Sequence, residues 1–196
     1  MEHLNLPNGF SFDCEEIFEM AVKHFPTNSH FVEIGLGQGK SSGYMAVEII
    51  NSGKNIKLDC VDCWDMTKHP RLRVSDLPSL RWRKKDYTLE FLNNLKPIWN
   101  MLDISVIQNY STEASKLYED NSLDFVFIDG DHSFSAVTDD IEHWLPKLKA
   151  NGLIAGHDYT QEYINSVVPA VDTFFRKEKV NVSKSSWYVW ISDLVR

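Results

Sequence analysis

The chain has 196 residues, 43% hydrophobic and 12% aromatic, enough for one substantial core and too short for two full domains, so a single domain over 1–196 is expected. Its formal net charge of -8 argues against general nucleic-acid binding, which needs a basic face. No apolar run approaches the roughly 18 residues of a membrane span, and MEHLNLPNGFSFDCEE lacks the basic-then-apolar order of a signal peptide. The expectation is a soluble, cytoplasmic protein with no membrane partner.

In chain order, Asp13 and Glu16 suggest a capping box that opens a helix over about 14–25, with Ile17, Met20, Ala21, His24 and Phe25 at helical spacing before Pro26. HFVEIG reads as a short buried strand running into a glycine-rich turn, and KSSGYMAVEIINSG as a helix that Gly53 ends. IKLDCVD, LDISVIQ, LDFVFID and GLIAG read as four further strands. The segments between them have crossover length, which predicts a parallel sheet with helices on both faces. Phe134, Val137, Ile141, Leu145 and Leu148 mark the inner face of one crossover helix, stopping near Asn151 and Gly152, and 160–178 reads as another. VNVSKSSWYVWIS alternates around a KSS turn and predicts a terminal hairpin. Three cysteines, an odd count, suit a reducing compartment. The CxxC of Cys60 and Cys63 has no second pair, so it reads as ordinary thiols rather than a zinc or redox centre.

FVEIGLGQGKSS invites a phosphate-loop reading that its spacing defeats. Counting back from Gly39, Lys40 and Ser41, the first glycine of that motif falls on Ile34. The dinucleotide fingerprint fails as well, because its third glycine falls on Lys40. What remains is an acid, Glu33, followed by Gly35, Gly37 and Gly39. A carboxylate there repels a pyrophosphate and attracts an amino-acid ammonium or a sulfonium. Asp62 ends the next strand, where a Rossmann-like fold places an acid for ribose hydroxyls; such charge-assisted bonds contribute roughly 1.5–3 kcal/mol each. A solvated turn aspartate is the alternative there.

Together, ExGxGxG, Asp62, LDFVFIDGDHSF, NGLIAGHDY and the closing hairpin resemble, in order and spacing, the class I S-adenosylmethionine-dependent methyltransferases. Within that class IDGDHSF and GHDY resemble the small sugar and catechol O-methyltransferases. The resemblance implies a Rossmann-like, doubly wound, mostly parallel seven-stranded α/β sheet with a C-terminal antiparallel hairpin and helices on both faces. It implies S-adenosylmethionine as cofactor, with Glu33, Gly35, Gly37, Gly39 and Ser41 around the methionine part. Asp62 would then hold the ribose, Ser111 and Thr112 would lie near the adenine, and Asp129 would also touch the cofactor.

In a parallel sheet the ligand sits at the carboxyl ends of the strands, where Asp129, Asp131, His132, His157 and Asp158 converge. Asp129, His157 and Asp158 are candidate ligands for a divalent cation, magnesium or manganese. The alternative is a metal-free site, because His157-Asp158 stands where related sugar enzymes often carry two adjacent acids. His157, His132 and Asp129 are the candidate catalytic residues, with His157 the base if no metal serves. The segment 68–85 carries seven Lys/Arg against one Asp. With Trp64 and Trp82 it reads as a lid, over about 64–85, for a small acceptor bearing phosphate or carboxylate; a solvated loop or a homo-oligomer contact is the alternative. A cofactor-binding protein without catalysis and a nicotinamide-dependent oxidoreductase are the competing functions.

Overall fold

The computed structural model describes residues 1–4, 13–64 and 87–194. Seven strands form one sheet: β1 (His30–Ile34), β2 (Lys57–Asp62), β3 (Ile104–Gln108), β4 (Leu123–Ile128), β5 (Leu148–Gly156), β6 (Asn181–Ser183) and β7 (Ser186–Trp190). Their spatial order is β3-β2-β1-β4-β5-β7-β6. β1 to β5 are mutually parallel, and β7 pairs antiparallel with both β5 and β6. The expected parallel sheet and terminal hairpin are both present. Strand order reverses between β1 and β4, which opens a crevice beyond their carboxyl ends.

The central strands are buried on both faces, so they are almost continuously apolar rather than alternating. Phe31, Leu58, Cys60, Phe125 and Phe127 join one core cluster. It lies under α1 (Glu15–His24), α2 (Lys40–Ser52) and α3 (Tyr87–Leu95). Val32, Ile34, Val126 and Ile128 face the other cluster, beneath α4 (Ser111–Ala114), α5 (Phe134–Trp144) and α6 (Val167–Phe174). Gly53 ends α2 in the left-handed conformation at φ 67°, as its place in the sequence predicts.

Three local expectations are corrected. Asp13 does not cap α1: Cys14 holds the N-cap position and no side chain caps the helix. The Asp13 carboxylate is drawn away by His157 and Ser185. The crossover helix ends at Trp144, not near Asn151; Pro146 lies in a short 3-10 turn, and Leu148 begins β5. Phe134 is exposed rather than on the inner face. The helix read over 160–178 is confined to α6, with 3-10 turns at Gln161–Tyr163 and Lys177–Lys179 on either side. Ser166 at φ -137°, ψ -81° interrupts helical geometry there.

Candidate active site

The glycine loop leaves β1 at the crevice. Gly35 has φ +83°, and a Cβ there would lie 2.1 Å from the Asp129 backbone oxygen. Gly39, also at φ +83°, would put a Cβ 2.7 Å from the Phe91 ring. These two glycines are required by the protein's own close packing as well as by backbone conformation. The Asp62 carboxylate buttresses the loop. Its Oδ2 accepts from the N–H groups of Leu36 at 2.8 Å and Gly37 at 3.3 Å, and Oδ1 accepts from Trp64 N–H at 2.8 Å. A carboxylate has about four lone-pair sites, so capacity remains for a ribose hydroxyl. Trp64 walls the loop, its indole N–H donating to Gly37 O at 3.2 Å and its ring packing on Phe91. The basic stretch 68–85 and Trp82 lie outside the described residues.

Glu33 lies under the first turn of α2, fully buried between its sheet neighbours Cys60 and Phe127. Ser41 donates its hydroxyl to Glu33 Oε1. Burial pushes the Glu33 carboxyl up to about 8, with the hydroxyls of Ser41 and Ser42 opposing the rise. On the far side of the crevice, Ser111 in α4 accepts from the Trp144 indole at 2.8 Å. Its hydroxyl also acts on buried Asp140, whose carboxyl burial raises to about 7. Thr112 accepts at its backbone oxygen from Ser115.

The second half of the site is a chain of acids and imidazoles at the ends of β4 and β5. His132 donates to Asp158 Oδ2 at 2.8 Å and to Asp129 Oδ1 at 3.3 Å. His157 reaches Asp158 Oδ1 at 3.0 Å through Nδ1 and Asp13 Oδ1 at 2.7 Å through Nε2. Burial opposes the imidazolium form, but the bonds to carboxylates outweigh it, lifting His132 to about 10 and His157 to about 9. Burial likewise favours a neutral Asp158, yet the two imidazoles hold its carboxyl well below the usual range. Asp129 is raised, chiefly by burial.

Both expected imidazoles therefore reach the cluster, in different positions. His157 is nearly enclosed, with 8% of its side chain exposed, whereas His132 keeps 33%. Asp129, His132 and Asp158 each offer a ligand atom within 4.8 Å of the others. The carboxylates suit magnesium or manganese, and the imidazole suits manganese or a softer metal; His157, the imidazole expected in such a set, lies beside these three with Nδ1 3.0 Å from Asp158 Oδ1. Asp13 and Ser185, which donates to Asp13 at 2.5 Å, went unrecognised in the sequence. Nothing local marks them: Asp13 lies 144 positions from His157, and its i,i+3 partner Glu16 gives it the pattern of a helix cap.

A family model described as a methyltransferase domain matches residues 32–159. The O-methyltransferase NovP shares the fold with a TM-score of 0.65 at 14% identity, over 90% of this chain and 78% of that one. A Streptococcus mutans protein in complex with SAH superposes with a TM-score of 0.59 at 10% identity, over 92% of this chain and 97% of that one. Uncharacterized protein y4gI of Sinorhizobium fredii is 40% identical over 47 residues, 24% of this chain and 5% of that protein.

Proposed function

This chain belongs to the methyltransferase-domain family, and on that premise we propose that it transfers a methyl group from S-adenosylmethionine to an oxygen of a small acceptor. The observation that carries the reading is the meeting, at the strand-order reversal, of two chemically distinct halves. One is a glycine loop with a buried acid; the other is the carboxylate and imidazole cluster. Gly35 packing on the Asp129 backbone keeps the halves adjacent.

In this reading the loop between Gly35 and Gly39 receives the methionine part, Asp62 the ribose, and the Ser111 side of the crevice the adenine. Methyl transfer is an in-line displacement at the sulfonium carbon, so the acceptor oxygen must be aligned and must lose its proton. Asp129, His132 and Asp158 would hold a divalent cation, which when bound lowers the pKa of a coordinated hydroxyl. Without a cation, His132, the more exposed imidazole, would be the group that meets the acceptor. His157, enclosed between Asp13 and Asp158, orients Asp158 rather than touching substrate. An acceptor bearing phosphate or carboxylate agrees with the basic composition of 68–85.

An acceptor screen with radiolabelled S-adenosylmethionine, run with and without chelator, tests the proposal. Label transferred to a hydroxyl-bearing small molecule and lost on chelation supports it in full. Turnover unchanged by chelation removes the cation. Cofactor binding without transfer to any acceptor or with any metal would favour a binding protein that lacks catalysis.

A further inference from the structure

Asp158 sits at φ 61°, in the left-handed region that residues with a side chain keep only where their surroundings hold them. Two imidazoles grip its carboxylate, His132 at Oδ2 (2.8 Å) and His157 at Oδ1 (3.0 Å). Its two neighbours in the chain are both tied to Ser185, in the turn between β6 and β7. The Ser185 backbone oxygen accepts from Tyr159 N–H at 2.8 Å, and its hydroxyl lies 3.0 Å from His157 Nε2. Asp158 is thus bracketed by two bonds to one residue.

Ser185 is fixed in turn from the start of α1. It donates to Asp13 Oδ1 at 2.5 Å, and the same oxygen lies 2.7 Å from His157 Nε2. Beside it Ser183 donates to Glu16 at 2.5 Å and Lys184 to Glu15 at 3.1 Å, but these contacts are exposed and such pairs contribute little. The Asp13 contact is different, because the His157 side chain it holds is only 8% exposed. Ser185, His157 and Asp158 are spaced like a nucleophilic triad, yet the serine donates its proton to Asp13 rather than to the ring, so the arrangement fixes an imidazole instead of activating a hydroxyl. Asp13 and Ser185 both lie outside residues 32–159, the part matched by the methyltransferase-domain model.

We infer that Asp13 is a positioning residue of the proposed site. With Ser185 it holds the His157 ring so that Nδ1 fixes Asp158 Oδ1, and Asp158 Oδ2 stays turned toward His132. The start of α1 and the β6–β7 turn thereby become parts of the site, although neither touches the substrate. The inference rests on the reading of Asp158 as a cation ligand, and its function is to keep a strained carboxylate in the one orientation that the set with Asp129 and His132 requires.

The test uses the full chain and manganese alone, with Kd read by electron paramagnetic resonance. Asp13→Ala should weaken manganese binding about tenfold, as loss of a group that orients a ligand does, while the rise in Tm with S-adenosylhomocysteine keeps its native size. Asp13→Asn retains an oxygen that accepts from His157 and Ser185, so it should bind manganese as the native chain does. His157→Gln is a milder lesion than Asp13→Ala, since a carboxamide can still donate to Asp158. Unchanged affinity in Asp13→Ala overturns the inference. So does an Asp13→Asn as weak as Asp13→Ala, which would show that the charge of Asp13 acts rather than its hold on the ring. If the native chain binds no manganese, the cation is removed from the proposed function and amide exchange decides the clamp. Faster exchange confined to 157–160 in Asp13→Ala supports it; exchange unchanged there, or faster throughout the chain, overturns it. Ser185→Ala, read the same way, replaces Asp13→Ala should that variant not fold. Failure of the native chain to bind S-adenosylhomocysteine would count against the methyltransferase reading alone.

Discussion

The most informative single positions are those where a side chain's environment contradicts its chemistry. Glu33 is a carboxyl in an apolar row, and Gly35 is a residue with no room for one more carbon. A Gly35→Ala variant must place Cβ 2.1 Å from the Asp129 oxygen at φ +83°. It should lose about 2 kcal/mol or more, roughly 4–8 °C in Tm for a chain of this size, or fail to fold. Thermal denaturation by circular dichroism checks this; an unchanged Tm would mean the loop and the β4 end are not in contact. For the cation, manganese should raise the Tm of the native chain, while Asp129→Ala and Asp158→Ala should each abolish that rise. His157→Gln should keep most of it, since the three residues that each offer a ligand atom within 4.8 Å of the others are Asp129, His132 and Asp158. Glu33 and the glycines were legible in the sequence because one short segment holds them. That two of the glycines answer to Phe91 and Asp129 was not, since those contacts join segments far apart in the chain.

Among the elements, the strands were the most legible, because burial on both faces leaves long apolar runs between polar breaks. Helix limits were less so: Leu145 and Leu148 keep helical spacing with α5, yet Pro146 ends that helix and Leu148 is already strand. The start of α1 was misread for a similar reason, as a capping pattern is local and the pull of His157 on Asp13 is not. The other end of α1 is secured from a distance too. Lys54 Nζ donates to the backbone oxygens of Val22 at 2.6 Å, Lys23 at 3.0 Å and Phe25 at 2.6 Å. These carbonyls lack intrahelical partners, and a cation suits the negative end of the helix dipole. Lys54→Met keeps the stem and removes the donors, so it should cost about 1.5–3 kcal/mol. Hydrogen exchange should quicken first in α1. Exchange quickening uniformly, or not at all, would show that α1 does not depend on this cap.

For the protein as one body, the titrating groups set a common direction. His132 and His157 have folded pKa values raised to about 10 and 9 from an ordinary value near 6.5. Their contribution is fully present below about pH 6.5 and is lost as pH rises through 9 to 10. Glu33 and Asp140, raised by burial to about 8 and 7, likewise bind protons more tightly folded than unfolded, so stability falls between about pH 4.5 and 8. Asp13 and Asp158 are lowered and act oppositely, losing their contribution as pH falls below about 4. Denaturant unfolding across pH should therefore peak on the acid side of neutrality and decline toward pH 10; a maximum above pH 8 would contradict these assignments. The fold class was readable from the order of motifs, and the acceptor was not, because a site's chemistry does not follow from its fold. The most direct test of the account is thermal denaturation with S-adenosylhomocysteine, NAD and ATP in parallel. A ligand that binds only the native state raises its apparent stability. A rise in Tm with S-adenosylhomocysteine alone is the predicted result; no rise with it, or a rise with NAD instead, would contradict the account.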